Sequence, residues 1–154
     1  MRIVRVTAEN YALFSDMVYA RVHGFQRPEE EQGQLRPEDA GSLRALEDPN
    51  LTVYAAMAQG RMVGWISLVF MPKLSRWQGA GALYVDELYV EPAFRRQGIA
   101  RALMVWADRR AKTLGTACLR LYVNLENPAA KALYASMGYL ERGSADFMEK
   151  SLDG

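Results

Sequence analysis

Residues 83–106 read LYVDELYVEPAFRRQGIARALMVW, and three local signals follow one another there. Leu83 to Val90 is dense in aliphatic and aromatic residues and reads as the most buried strand of the chain. Glu91-Pro92 closes it, since proline cannot continue a ladder. From residue 98 to 114 the apolar residues Ile99, Leu103, Trp106 or Ala107, Ala111 and Leu114 recur at helical spacing, and Gly115 suits the helix end. Arg101, Asp108, Arg109 and Lys112 fall on the opposite face. Between strand and helix lies Arg95-Arg96-Gln97-Gly98-Ile99-Ala100. The first N–H groups of a helix have no partner within it and meet the positive end of its dipole. A phosphate or pyrophosphate is the natural ligand of such a start. Gly98 lets an anion approach the backbone and small Ala100 keeps the approach open. Arg95, Arg96 and Arg101 add charge-assisted hydrogen bonds. The plainer reading is a solvated basic turn, but cationic side chains at a helix start oppose the dipole, which favours a bound anion. The stretch is neither a Walker A loop, lacking Gly-Lys-Ser/Thr, nor a dinucleotide Gly-x-Gly-x-x-Gly.

Outward from this stretch the chain alternates between strand and helix signals. Upstream, Ile3 to Val6 reads as a short strand. Thr7 is placed to cap a helix from Ala8 to Val22 on the apolar spacing Tyr11, Phe14, Met17 or Val18 and Val22, and Gly24 ends it. Residues 25–36 form a polar loop, and Pro37 opens a short helix to about Glu47. Leu51 to Ala58 and Met62 to Phe70 are strands around a tight turn at Gln59-Gly60-Arg61, with Gly64 marking a bulge in the second. Residues 71–80, with Pro72 and Gly79, are a loop. Downstream, Cys118 to Val123 is a strand and Asn127-Pro128 starts a helix to Met137, closed by Gly138. Tyr139 to Arg142 and Phe147 to Leu152 read as two final strands. The order β-α-α-β-β-β-α-β-α-β-β predicts an α/β (α+β) domain over residues 1–154, with a mixed sheet and helices on both faces.

The 154 residues suit one domain with one core. A net charge of +1 gives no general attraction to nucleic acid or to a membrane surface. One cysteine, Cys118, suits a reducing compartment and allows no internal disulfide. One cysteine and one histidine, His23, make neither a structural zinc site nor, without a Gly-x-Ser-x-Gly elbow, a hydrolase triad. The N-terminal residues carry no apolar run that reads as a signal peptide or a span, so the expected location is cytoplasmic. Cys118 reads as a small core residue, and Trp65, Trp77 and Trp106 as divided between core and pocket rim.

Two blocks carry a resemblance. Arg95, Gly98 and Ala100 match the Arg/Gln-x-x-Gly-x-Gly/Ala motif, and Asn127-Pro-Ala-Ala-Lys-Ala-Leu-Tyr134 through Gly143 matches a second block at the right separation. Together with the element order, these resemble the GNAT superfamily of N-acetyltransferases. The resemblance implies a mostly antiparallel, six- to seven-stranded sheet. Its fourth strand, Leu83 to Val90, would be bulged, and strands 4 and 5 would splay into a V. Acetyl-CoA would be the co-substrate, with no metal. Leu88, Tyr89 and Val90 would line the pantetheine arm, with Leu88 and Val90 holding it through backbone groups and Leu88 or a neighbour offering an N–H to the thioester carbonyl. Backbone and side chains of Arg95, Arg96, Gln97, Gly98, Ile99, Ala100 and Arg101 would hold the pyrophosphate. Asn127 and Ala130 would border the pantetheine, and Lys131 would reach the nucleotide phosphates.

For catalysis the resemblance implies that Tyr134 protonates the departing sulfur. Otherwise Tyr134 is a core tyrosine on helical spacing. Glu87, chosen over Asp86, would take the amine proton through water; otherwise it orders water or pairs with an arginine. The acceptor site would draw on Phe25 to Arg36, on Trp77 and on residues 145–147, with Phe25, Glu29 and Trp77 named as contacts. The expected partner is a small-molecule or peptide amine, with no nucleic acid and no membrane, and a homodimer is compatible. Two other functions fit the same features: an acyl-CoA-binding sensor without turnover, and an acetyltransferase for a protein- or RNA-linked amine.

Overall fold

A computed structural model describes residues 1–74 and 80–153, and its chain divides into two compact units, Met1–Tyr122 and Val123–Gly154. The first unit is built on one sheet. Its strands are β1 (Arg2–Arg5), β2 (Leu51–Ala58), β3 (Arg61–Met71), β4 (Ala82–Val90) and β5 (Cys118–Leu121), paired in that order. All pairs are antiparallel except β4 with β5, which is parallel.

Strand alternation decides which helix each residue meets. In β2, Val53 and Ala55 join a core cluster with Tyr11 and Met17 of α1 (Tyr11–His23). Their neighbours face the other way: Tyr54 packs on Trp106, and Thr52 accepts a hydrogen bond from Arg110, both of α3 (Ile99–Leu114). The sheet thus carries α1 on one face and α3 on the other, as the element order predicts. Ile99, Leu103, Met104, Ala107 and Ala111 form the buried face of α3.

The β2–β3 hairpin turns on two residues with left-handed backbone, Gln59 (φ 52°) and Gly60 (φ 76°). That two-residue turn matches the twist of the strands it joins. Opposite Ala56 and Met57, β3 inserts Val63 as an extra residue beside Gly64, so the expected bulge is present. A Cβ on Gly64 would lie 2.8 Å from the carbonyl oxygen of Tyr89, so only glycine lets β4 come this close.

The helix starts differ from the expectation at two places. Thr7 does not cap α1, which begins at Tyr11 behind Asn10. Instead the Asn10 side chain turns back, accepting from the Thr7 N–H at 2.9 Å and donating to the Arg5 carbonyl at 2.9 Å. Short polar side chains bond nearby backbone in just this way, and here that competes with capping. The helix expected from Pro37 is a 3-10 turn, Pro37–Asp39, followed by a short α2 (Ala40–Ala45). On α1 the expected inward Val22 is 71 % exposed, while Ser15 and Asp16 are buried.

Ser15 and Asp16 are buried because they hold the loop after α1. Asp16 accepts from Arg27 at 2.8 Å and from the Gly33 N–H at 2.7 Å. Arg27 also donates to Ser15 at 3.1 Å, Ser15 donates to Asp39 at 3.2 Å, and Asp39 accepts from the Arg36 N–H at 2.8 Å. Every charge in this buried network is therefore partnered.

The second unit contains α4 (Pro128–Ser136). Asn127 caps it by accepting from the Ala130 N–H at 3.1 Å, and Pro128 fills the first helical position. The two strands expected at Tyr139–Arg142 and Phe147–Leu152 do not form: residues 139–153 make no ladder. Alternation of apolar residues marks a strand only when a neighbour supplies hydrogen bonds, and here none does. Among the described residues the sheet is five-stranded rather than six- or seven-stranded.

Candidate active site

Pairing along β4 stops short on one side. Its ladder with β5 runs from Ala82/Cys118 to Val85/Leu121 and ends there, while its ladder with β3 continues to Val90. At the same point β4 carries a bulge. Ser67 faces Glu87 and Leu68 faces Val85, leaving Asp86 as the extra residue. A bulge bends its strand and re-aims side chains. Asp86 and Glu87 are accordingly both exposed, although strict alternation would send them to opposite faces. The Glu91 N–H bonds Val63 of β3, so by alternation the backbone groups of Leu88 and Val90 turn to the side where the β5 ladder has ended. The Val90 carbonyl accepts from Arg95 Nε at 2.9 Å.

That bond ties the end of β4 to the loop before α3. Arg96 has φ 64° and Gly98 φ 80°, two left-handed residues separated by Gln97. A non-glycine residue in this conformation costs about 1–2 kcal/mol, and such strain concentrates at functional positions. Gly98 sits at the cap of α3 with no side-chain cap, and a Cβ there would meet no described atom within 4 Å. The side chains divide their roles. Arg95 braces Val90, Gln97 donates to the Ala93 carbonyl at 3.4 Å, and Ile99 is buried in the core, so Ile99 offers a ligand only its backbone. Arg96 is exposed and Ala100 half-buried beside the cap. A helix start with open backbone, small residues and flanking arginines can hold a phosphate; the residues present fit the pyrophosphate of a coenzyme.

The α1 face of the sheet gathers a second group. Glu87 lies beside Ser67, whose hydroxyl accepts from the Glu87 N–H at 3.1 Å. Its carboxylate stands 3.4 Å from Nη1 of Arg21, and both side chains are half-exposed. A pair this exposed is worth less than about 1 kcal/mol. Glu87 therefore pairs with an arginine, as its plainer sequence reading has it, without being locked there. Arg21 is held from behind: its guanidinium lies 5.0 Å from the Trp65 ring and 4.6 Å from the Tyr89 ring, which pack on each other at 4.7 Å. Tyr89 therefore contributes its ring to this face. Where β4 ends, Glu91 pairs with Arg61 and accepts from Gln26 at 3.0 Å, linking the loop after α1 to the β4 terminus.

Other expected acceptor residues are more dispersed. Phe25 is exposed and packs edge-on to Tyr19 and His23, each 5.9 Å away. Glu29 lies in an exposed 3-10 turn, Glu29–Glu31. Trp77 lies outside the described residues. A cavity of about 200 Å³ beneath the loop is lined by Asp16, Gln26, Gln32 and Arg61. It is smaller than the roughly 300 Å³ at which ligand pockets begin, and its charged groups are already paired. In the second unit, Lys131 stands one turn into α4 and donates its N–H to the Asn127 carbonyl at 3.2 Å. Tyr134 packs against Tyr139 at 5.8 Å, and burial pushes its phenol up from the ordinary value. It is a protonated, half-buried phenol at neutral pH.

Arg21, Trp65 and Ser67 are the residues that sequence reasoning did not assign to a site. Arg21 occupies an ordinary position for a basic residue in the last turn of a helix. Nothing in its spacing announces Trp65 or Tyr89, because cross-strand neighbours are set by register.

Comparison with known proteins agrees with this geometry. A model of the acetyltransferase (GNAT) family matches residues 15–139. Aminoalkylphosphonate N-acetyltransferase of Salmonella typhimurium is 31 % identical over 127 residues, covering 81 % of this chain and 78 % of that protein. An aminoglycoside acetyltransferase from an uncultured soil metagenomic sample superposes with a TM-score of 0.78 at 25 % identity, over 97 % of this chain and 98 % of that one. An aminoglycoside N-acetyltransferase solved in complex with CoA superposes at 0.75 and 16 % identity, over 97 % and 99 % of the two chains, which speaks for the fold. A bulged, half-paired strand leading into a glycine-capped helix, within a family match that spans most of the sequence, makes this chain a member of the acetyltransferase (GNAT) family and an acyltransferase of that N-acetylating kind.

Proposed function

We propose that the protein transfers the acetyl group of acetyl-CoA directly to a primary amine on a small molecule, with both substrates bound together. The observation that carries this reading is the β4 edge. Its backbone opens after Val85 and leads, through the Arg95–Val90 bond, into the left-handed Gly98 start of α3. Leu88 and Val90 would pair their backbone with the pantetheine amides, with Tyr89 between them. The N–H groups from Arg96 to Arg101 would hold the pyrophosphate. Asn127, Ala130 and Lys131 would serve the rest of the coenzyme.

The coenzyme supplies an acetyl thioester; the protein moves protons around it. Glu87 would accept a proton from the bound ammonium through water, leaving a neutral amine. The amine nitrogen forms a bond to the acetyl carbon as the carbon–sulfur bond breaks. Tyr134 would return a proton to the departing sulfur, so that the products are an N-acetylated amine, the free thiol of CoA and one proton. The Leu88 N–H would stabilise charge on the thioester oxygen. Phe25, Glu29 and Trp77 are proposed to border the acceptor. The named activities of the relatives, on an aminoalkylphosphonate and on aminoglycosides, support a small-molecule amine.

The family match runs through both compact units, which supports reading residues 1–154 as one acetyltransferase domain. No helix among the described residues is long and apolar enough to cross a membrane. With a single unpaired cysteine, the setting we propose is cytoplasmic.

The test is release of free thiol from acetyl-CoA across a panel of primary amines, with CoA binding followed by calorimetry. Amine-dependent thiol release is expected. Tight CoA binding without turnover of any amine would replace the enzyme by an acyl-CoA sensor, and absence of CoA binding would remove the coenzyme assignment.

A further inference from the structure

The half-exposed pair of Arg21 and Glu87 has an unusual composition for a site that must receive an ammonium group. Glu87 attracts a cation, yet a guanidinium stands 3.4 Å from it. Arg21 also cannot swing freely aside. It comes from the last turn of α1, and its flat face rests on Trp65 and Tyr89, at 5.0 and 4.6 Å from the ring centres. Those rings are cross-strand partners in β3 and β4, and the next pair along the same face is Ser67 with Glu87. The guanidinium is thus fixed by stacking while its edge stays half-exposed next to the carboxylate. Among the described residues, the hydrogen bond of its side chain goes to Glu87.

A fixed guanidinium edge suits a planar or tetrahedral oxyanion, which it grips with two parallel N–H bonds. An acceptor carrying only positive charge would meet repulsion from Arg21 as it approached Glu87. An acceptor carrying both charges would instead exchange partners with the internal pair, its ammonium going to Glu87 and its anion to Arg21. The anion contact is a charge-assisted bond of about 2.8 Å and the ammonium meets Glu87 across one water, so ammonium and anion must be close together in the ligand.

We propose that Arg21 is the specificity-determining anion anchor of the acceptor site, and that the acceptor is a zwitterionic amine with a carboxylate or phosphonate one or two carbons from its nitrogen. This rests on the N-acetyltransferase reading above, with Glu87 facing the amine. The anchor also explains why the stack is built from two aromatic residues of adjacent strands: it holds a cation whose carboxylate partner leaves when the ligand arrives.

The experiment compares three sets of acceptors of matched carbon length: amino carboxylates, aminoalkylphosphonates, and the same amines without an acidic group. Wild-type protein, Arg21→Met and Arg21→Lys are assayed for kcat and KM, and binding of each acceptor in the presence of CoA is measured by calorimetry. Methionine keeps the apolar packing on the rings and removes the charge. The wild type is expected to prefer one zwitterionic set, and the better of the two identifies the anion. Arg21→Met should raise its KM and weaken its binding by about 10- to 100-fold. Its effect should fall more on KM than on kcat, and amines without an acidic group should lose no affinity. Arg21→Lys should recover part of the loss. Unchanged discrimination in Arg21→Met, or a wild-type preference for the amines without an acidic group over the zwitterions, would overturn the anchor while leaving the acetyltransferase reading intact. Should no amine be turned over, the acetyltransferase reading fails instead. Calorimetry then still decides the anchor, since zwitterion binding that ignores Arg21→Met also overturns it.

Discussion

At the scale of single residues, the chemistry rests on how ordinary side chains are surrounded. Burial raises the affinity of the Tyr134 phenol for its proton. A phenol raised in this way stays protonated to a higher pH, so any activity that depends on its proton is lost only as pH rises through the raised value, above the ordinary value of about 10. The same shift has a sign for stability. The folded state holds the proton more tightly than the unfolded chain, so this contribution is complete below the unfolded value and fades as pH climbs through the folded one. Tyr134→Phe should lower kcat by about 100-fold or more, within the range for a lost proton donor, with CoA affinity nearly unchanged. Turnover equal to the wild type would remove Tyr134 from the mechanism. Stability measured against pH should lose the part of its alkaline fall that Tyr134 contributes in the same variant.

At the scale of elements, two glycines do work that no other residue can do. Gly98 has left-handed backbone at the start of α3 and open space where a side chain would go. Gly98→Glu should therefore fold, with a strain cost of about 1–2 kcal/mol, yet place a carboxylate where the pyrophosphate would bind. CoA binding should be abolished in calorimetry while the circular dichroism spectrum is retained; normal CoA affinity would refute the loop assignment. Gly64 presents the opposite case. Its Cβ would meet the Tyr89 carbonyl at 2.8 Å, a backbone oxygen held in the neighbouring strand. Gly64→Ala is expected to push β3 from β4 and to lower stability by about 1–3 kcal/mol, read from the denaturant midpoint. A neutral substitution would show that the strands can separate there at no cost. Because Tyr89 is also half of the stack behind Arg21, the same change should disturb acceptor KM more than CoA affinity.

At the scale of the whole molecule, the loop after α1 is held by charges rather than by apolar packing. Asp16 and Arg27 are buried together, and Asp16 also receives the Gly33 N–H. Asp16→Ala would leave the buried Arg27 guanidinium with the Ser15 hydroxyl and the Tyr19 ring but no carboxylate. Breaking such a pair costs about 3–5 kcal/mol, so thermal unfolding should move down by many degrees; a shift of only a degree or two would mean that water replaces the carboxylate. Much of this molecule was legible in its residues alone. Leu83 to Val90, the arginine–glycine turn and the helix to Leu114 each carry a local signal, because strand composition, proline, glycine and 3.6-residue periodicity act over a few residues. Through them the family was readable from sequence. What the chain order could not contain was whatever depends on a partner distant in sequence. The strands read at 139–142 and 147–152 needed a neighbour that they do not have. Ser15 and Asp16 were hidden within an apparently amphipathic helix because their partners are Arg27, Gly33 and Asp39. Arg21 joined Glu87, 66 residues away, only once β-sheet register set Trp65 against Tyr89 and α1 was laid across them. Sequence by itself determined the elements from β2 to α3 and the glycine turn before α3, since those arise from local backbone preferences. Tertiary structure alone decided that Arg21 stacks on Trp65 and Tyr89 beside Glu87, since that is fixed by register and packing between segments far apart in the chain.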